Sequence, residues 1–326
     1  MRLLLALLLL AVIAPPAVAQ STATPTAEQP AKPPAKNTAK NTAKKPAKKQ
    51  KKQPPFQWVN KPGKLPARVT HHTFDSAIAG EPVGYLLYQP PGYAADPAKR
   101  FPVVYYLHGG RPGSEGKGLG LVPTIDSLMS DGRVPEALVV FVNGGPVSHY
   151  NTPAAPDIKQ AKTRGADVFI TELIPHIDAT YRTIADRSGR VLTGFSQGGR
   201  GTARLAFRYP ELFARAAPGG GGFATEKRIS ESDGYEHPRL KFADGDNAYD
   251  LLARYAAARA EGTAPELPLL FYVGDEGFNY RNNLAYMDRL TELGVPYEKI
   301  VVPGVGHNAR AIYEQQGEAI LTFLLR

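Results

Sequence analysis

Short apolar runs alternate with amphipathic stretches along the chain from Phe56 onward. Eight of the runs have the length and the β-branched or aromatic content of strands. They are residues 69–74, 83–88, 103–109, 137–143, 190–196, 213–217, 268–274 and 298–304. Five stretches repeat apolar residues three or four positions apart, which is the period of a helix. They are residues 165–181, 197–210, 247–260, 279–293 and 309–325.

This order of elements predicts the fold class. Strands that alternate with helices form βαβ units, and these build a mostly parallel sheet with helices on both faces. The first two strands have no helix between them, so we expect them to form an antiparallel N-terminal edge. The pattern therefore predicts an α/β fold over residues 56–326.

The N-terminal segment has the pattern of a secretory signal peptide. Arg2 precedes an apolar run of about a dozen residues, and Ala17-Val18-Ala19 forms a small-x-small cleavage site. Pro15 and Pro16 end the run, which leaves it short for a membrane span. We expect residues 1–19 to be removed and the protein to be exported, to the periplasm or the extracellular space.

Residues 20–55 are rich in Lys, Pro and Ala, and they lack the apolar residues of a core. Such a composition predicts a disordered linker. The segment is either a tether that makes weak electrostatic contact with an anionic envelope or a solvated spacer.

Charge and cysteine content exclude several kinds of function. The net charge is +9, but residues 1–55 hold ten basic residues and one acidic residue of the total 39 and 30. This leaves 29 of each sign in the remaining chain, so nucleic-acid binding by the folded domain has no compositional support. The chain has no cysteine, which excludes disulfides, a cysteine nucleophile and thiolate metal sites.

The strongest chemical motif is Gly194-Phe195-Ser196-Gln197-Gly198, a G-x-S-x-G. It lies where a predicted strand meets a predicted helix, which is the setting of a nucleophile elbow. The glycines suit so tight a turn because a β-carbon would clash there. We interpret Ser196 as a nucleophile. The alternative, a serine that caps the helix, is common in α/β proteins.

A serine nucleophile needs a base, and the base needs an orienting acid. His237 and His307 follow Ser196, and only His307 comes directly after a predicted strand. We therefore predict His307 as the base, because active sites gather at the carboxyl ends of parallel strands. Asp275 follows the penultimate strand and is the predicted acid, with Glu276 as the alternative.

The loop after the 103–109 strand reads His108-Gly109-Gly110. In this mechanism the oxyanion accepts hydrogen bonds from the N–H after the nucleophile and from an N–H of such a loop. Gln197 and Gly110 are the predicted donors. His108 is predicted to anchor the loop rather than to act as base.

A second loop, residues 144–156, follows another strand end and should border the site. His149, Tyr150 and Asn151 are candidates to hold an alcohol or a sugar, although an ordinary surface loop has a similar composition. No metal-ligand spacing occurs, and we predict neither a metal nor another cofactor.

Together these motifs make the chain resemble the esterase D-like family of α/β-hydrolases, whose members include feruloyl and acetyl-xylan esterases, enterochelin esterases and mycolyltransferases. The resemblance covers about residues 68–326 and lies in the segments 85–93, 101–110, 172–183, 194–199, 209–216, 274–279 and 303–308. It implies an α/β-hydrolase fold, a Ser196–His307–Asp275 triad and oxyanion donors at Gly110 and Gln197.

The expected activity is that of an exported serine carboxylic-ester hydrolase acting on a small-molecule or polysaccharide ester. Feruloyl or acetyl groups on polysaccharide are the leading substrates, because relatives of that kind are exported. A siderophore esterase and an acyltransferase of the same fold are alternatives. A non-catalytic envelope-binding protein is the alternative from another class.

Overall fold

The computed structural model describes residues 57–60, 63–110, 114–145, 150, 164–231, 235–237, 240–241 and 243–326. The signal peptide and linker predictions therefore lie outside the described residues, as do His149 and Asn151. None of the described helices is long and apolar enough to cross a membrane.

All eight predicted strands are present and form one sheet. In chain order the strands are β1 (Val69–Ser76), β2 (Glu81–Tyr88), β3 (Val103–Leu107), β4 (Leu138–Val142), β5 (Arg190–Phe195), β6 (Arg215–Gly219), β9 (Leu270–Gly274) and β10 (Glu298–Val302), while β7 (Tyr235–His237) and β8 (Leu240–Lys241) form a separate two-stranded sheet. The spatial order in the large sheet is β1-β2-β4-β3-β5-β6-β9-β10.

The predicted antiparallel edge is confirmed. β1 pairs with β2 antiparallel, and β2 pairs with β4 antiparallel. All the other pairings in the large sheet are parallel, from β4 through β10. As a result, the carboxyl ends of β3, β5, β9 and β10 lie at one edge of the sheet, where the segments carrying Gly110, Ser196, Asp275 and His307 leave it.

The helices are α1 (Val122–Ser130), α2 (Gly165–Asp167), α3 (Ile174–Thr180), α4 (Gln197–Arg208), α5 (Phe223–Glu231), α6 (Ala248–Ala260), α7 (Tyr280–Glu292) and α8 (Ala309–Leu325). The predicted helix 165–181 is divided into α2, a π-helical segment at Val168–Leu173 and α3. Pro175, at the start of α3, has no N–H to continue the α-helical ladder, which accounts for the irregular turn before it.

Two helices, α1 and α5, were not predicted from the sequence. α1 follows a glycine-rich 3₁₀ segment, Glu115–Leu121, and has a proline in its first turn. Proline is tolerated there because the first N–H groups of a helix have no partner within it. The buried residues Val122, Ile125 and Leu128 repeat every third position, and this was the signal available.

The core lies on both faces of the sheet. Neighbouring residues of a strand point to opposite faces, so Tyr105 and Leu192 pack in one cluster while Val104 and Val191 pack in the other. Every residue of β3 and β4 is buried. Burial on both faces explains why these central strands read as continuous apolar runs.

Candidate active site

Ser196 occupies the turn between β5 and α4, in a backbone conformation that few residues adopt. Its φ is 63° and its ψ is −118°. Such strain persists only where surrounding contacts enforce it, and it is concentrated at functional sites. The Ser196 N–H donates to the carbonyl of Gly219 (2.9 Å), and the Ser196 carbonyl accepts from the N–H of Arg200 (3.0 Å). The turn is therefore held from both sides.

The two glycines of the motif are required by close backbone contacts. A β-carbon on Gly194 would lie 2.6 Å from the carbonyl oxygen of Leu107 and 2.7 Å from that of Gly198. A β-carbon on Gly198 would collide with the same Leu107 oxygen. The G-x-S-x-G spacing thus allows α4 to begin directly against the end of β3.

The predicted oxyanion donors lie next to each other. A β-carbon on Gly109 would be 3.2 Å from Ser196 Cβ, and one on Gly110 would be 3.3 Å from Gln197 Cδ. Gln197 is the first residue of α4, so its N–H has no carbonyl acceptor within the helix. The 109–110 loop thus lies against Ser196 and the first residue of α4.

His108 anchors this loop, as the sequence suggested. Its side chain is 1% exposed, and burial lowers its pKa to about 4. Nδ1 lies 2.8 Å from the carbonyl oxygen of Gly109, and Nε2 accepts from the N–H of Gly144 (3.0 Å). A neutral imidazole with the proton on Nδ1 satisfies both contacts. Lys117 was not predicted at the site, and its ammonium donates to the carbonyl of Gly110.

His307 lies beside the elbow in the loop between β10 and α8. Its ring centroid is 4.7 Å from that of Phe195, which precedes Ser196, and 4.4 Å from that of Phe278. Burial lowers the pKa of His307. Within the described residues, Ser196 Oγ and the imidazole of His307 are not hydrogen-bonded. In unliganded enzymes the hydrogen bond between a nucleophile and its base often forms only when substrate binds.

The structure does not bring Asp275 to His307. The carboxylate of Asp275 accepts from the backbone N–H of Gly304 (2.8 Å) instead. The alternative acid, Glu276, is exposed. Among the described residues the hydrogen-bond partner of His307 Nδ1 is Asn279, whose Oδ1 is 3.2 Å away. The prediction that Asp275 orients the base is not met, because Asp275 faces the β10 turn.

Asn279 and Phe278 were both missed, although they lie in the segment 274–279 that carried the resemblance. A search for a serine, an acid and a histidine passes over a neutral amide. Phe278 is 82% exposed and is the exposed large hydrophobic residue of the described part of the chain. Its position against the base makes it a surface that an apolar part of a substrate would meet.

Tyr150 is in the interior and does not face the site. Its side chain is 1% exposed, and its hydroxyl donates to the carbonyl of His108 (3.4 Å). Its ring fills the space left by two glycines, Gly144 and Gly201. Tyr150 therefore supports the loop that carries Gly110. The sequence had suggested that it contacts substrate.

The described residues contain no group of three or more His, Cys, Asp or Glu side chains placed to hold a metal ion.

The mostly parallel sheet and the serine elbow define the α/β-hydrolase fold. Comparison with known proteins agrees. Residues 76–222 match the family described as putative esterase, and residues 172–326 match the prolyl oligopeptidase family. A solved ferulic acid esterase superposes with a TM-score of 0.61 at 21% identity, covering 79% of this chain and 97% of that structure. At that identity the superposition shows the fold alone.

Two curated relatives carry esterase names. The esterase Rv1288 of Mycobacterium tuberculosis is 25% identical over 262 residues, which are 74% of this chain and 56% of the relative. An endo-1,4-β-xylanase/feruloyl esterase of Xylanibacter ruminicola is 27% identical over 209 residues, 60% of this chain and 27% of the relative. The chain thus spans about half the length of the first relative and about a quarter of the second. The matches agree with the resemblance: the protein has the α/β-hydrolase fold and is similar to proteins named esterases.

Proposed function

We propose that the protein is a serine carboxylic-ester hydrolase in which Ser196 is the nucleophile and His307 the general base. The observation that carries the proposal is the strained φ of 63° at Ser196, at the start of α4 and against the Gly109–Gly110 loop. A serine that served only as a cap would have extended backbone and a side-chain bond to the helix, and Ser196 has neither.

The reaction follows from these positions. Ser196 Oγ attacks the ester carbonyl while His307 Nε2 takes its proton, and the N–H groups of Gln197 and Gly110 stabilise the oxyanion. The protonated imidazole then gives its proton to the leaving alcohol. Water, activated by the same histidine, hydrolyses the acyl-enzyme and restores Ser196.

The proposed substrates are feruloyl or acetyl esters on polysaccharide. Support comes from the feruloyl esterase name of one relative and from the exposed Phe278 beside His307, which suits an aromatic acyl group. A panel of methyl ferulate, acetylated xylan and a catecholate trilactone separates this substrate class from a siderophore esterase. Measuring acyl transfer to an added alcohol separates a hydrolase from an acyltransferase.

Ser196→Ala tests the proposal directly. Turnover of p-nitrophenyl acetate should fall on the order of 10⁴-fold, because the oxyanion donors alone give only residual catalysis. Circular dichroism should show an unchanged fold. Thr202→Ala on the same helix is the matched control, since its hydroxyl bonds only the carbonyl of Gly198. Clean Ser196→Ala protein with the rate of the wild type would exclude Ser196 as nucleophile and would favour a non-catalytic binding protein.

Export and tethering belong to the same proposal. Residues 1–19 act as a signal peptide, and the lysines of residues 20–55 contact an anionic envelope. N-terminal sequencing of the protein recovered from outside the cytoplasm should begin at Gln20. Co-sedimentation with an anionic polymer should weaken as salt rises, because screening shortens to about 8 Å at physiological ionic strength. Binding that resists salt and survives deletion of residues 20–55 would contradict the tether.

A further inference from the structure

The orienting partner of the base is a neutral amide rather than a carboxylate. Asn279 Oδ1 lies 3.2 Å from His307 Nδ1. Asn279 is the residue before α7 and is 2% exposed, so this contact is shielded from water. A β-carbon on Gly277 would lie 3.3 Å from Asn279 Oδ1, and the absence of a side chain there leaves room for the amide.

The orientation of this amide is fixed by its other end. Asn279 Nδ2 donates to the carbonyls of Gly220 and Gly221, the latter at 3.1 Å. If the amide were flipped, Oδ1 would face two carbonyl oxygens, which only accept hydrogen bonds. Asn283 strengthens the arrangement, because its Nδ2 donates to Gly221 (2.8 Å) and to the backbone carbonyl of Asn279 (2.8 Å).

A fixed amide selects one tautomer of the base. Because Asn279 Oδ1 can only accept, His307 Nδ1 must carry the proton. The lone pair is then on Nε2, the nitrogen that has to receive the proton of Ser196. The two adjacent glycines at 220 and 221 thereby act on the base through Asn279.

We propose that Asn279 is the positioning residue of His307, forming a Ser196–His307–Asn279 triad in which no carboxylate of the described residues bonds the histidine. This inference rests on the proposed function. Asp275 then has a structural role: it accepts from Gly304, whose φ is +68°, and so holds the turn that leads from β10 to His307.

The electrostatics around His307 agree with a neutral partner. The charged residues Asp275 and Glu276 lie on the β9–α7 loop that carries Asn279, Arg310 lies on α8 shortly after His307, and Lys117 donates to the carbonyl of Gly110 in the oxyanion loop. The pKa of His307 is lowered, and the cause is burial. A carboxylate in hydrogen-bond contact would instead favour the charged imidazolium and oppose that shift.

The decisive comparison is between Asp275→Asn and substitutions of Asn279. Asp275→Asn keeps an oxygen that can accept from Gly304, so kcat/KM should stay within about threefold of wild type. An orienting carboxylate replaced by an amide loses on the order of 10⁴-fold. A loss of about 10²-fold or more in Asp275→Asn would therefore overturn the proposal.

Asn279→Asp tests the positioning role through the pKa of His307, which a purely structural role of Asn279 would leave unchanged. A carboxylate against His307 should raise its pKa by about one unit or more, and the acidic limb of kcat/KM should move up with it. Because its second oxygen faces the carbonyls of Gly220 and Gly221, the variant should also be less stable, so it is measured well below its melting temperature. Asn283→Asp is the matched control, because it places a carboxylate on the same helix and the same Gly221 carbonyl without touching His307. An equal shift in both variants, or no shift in Asn279→Asp, would contradict the assignment.

Nuclear magnetic resonance of ¹⁵N-histidine-labelled protein separates this proposal from the proposed function, since it needs no turnover. In folded wild-type protein at neutral pH, His307 should be protonated on Nδ1, and Asn279→Asp should raise its titration midpoint. Those results with an inactive protein would refute the esterase activity and keep the Asn279 contact. The Nε2 tautomer in an active protein would refute the Asn279 role and keep the activity.

Discussion

Replacing Trp58 by alanine should destabilise the domain and weaken the oxyanion loop. Trp58 is the single tryptophan of the chain and is 2% exposed. Its ring fills the space above Gly145, where a β-carbon would lie 3.0 Å from Trp58 Cζ2. Removing a buried tryptophan costs about 3–5 kcal/mol, because the transfer free energy is lost and a cavity remains.

The effect should also reach the site through a short series of contacts. Gly145 follows Gly144, whose N–H donates to His108 Nε2, and His108 holds the carbonyl of Gly109. At about 2–4 °C per kcal/mol for a domain of this size, the melting temperature should fall by about 6–20 °C. We expect kcat for p-nitrophenyl acetate to fall severalfold even at a temperature where the variant is folded.

Thermal and urea denaturation followed by circular dichroism measure this loss. Trp58→Phe should recover much of the stability, because it keeps an aromatic ring in the same space. Deletion of residues 20–55, which keeps Trp58, should leave the melting temperature unchanged and the rate within about twofold, since it removes none of the predicted triad or oxyanion residues. If Trp58→Ala lowered the free energy of unfolding by less than about 1 kcal/mol, Trp58 would not stabilise the domain, and residues 57–60 would detach without unfolding it.

Two further predictions concern the base and the residue beside it. Burial lowers the pKa of His307, and the base must be neutral to act. We therefore expect kcat/KM to rise with pH to a level value, with the midpoint of the rise below about pH 6.5. A midpoint above about pH 7 in wild-type protein would contradict this. Phe278→Ala should raise KM for methyl ferulate about three- to tenfold, because aromatic contacts contribute about 0.5–1.5 kcal/mol, and should leave KM for p-nitrophenyl acetate nearly unchanged. Equal effects on the two esters would show that Phe278 does not recognise the aromatic acyl group.

Much of the fold could be predicted from the chain because its signals are local. Each central strand is a run of apolar residues, and burial on both sheet faces makes such runs stand out. The strand predicted over 213–217 is β6 at Arg215–Gly219, two residues later, and it continues through Pro218. The serine elbow was also local, because its strand, its glycines and its helix are contiguous in sequence.

The partner of the base was decided by tertiary structure. Asp275 and Asn279 are four residues apart and both follow β9, so their order along the chain does not tell which one reaches His307. The choice depends on backbone groups from elsewhere in the fold. The N–H of Gly304 beyond β10 donates to the carboxylate of Asp275, while the carbonyls of Gly220 and Gly221 beyond β6 accept from the amide of Asn279 and turn its oxygen toward the imidazole. The sequence by itself determined the strands, the serine elbow and the proposed nucleophile, because these depend on neighbours in the chain. The orienting residue depends on hydrogen bonds between segments that only the folded sheet brings together.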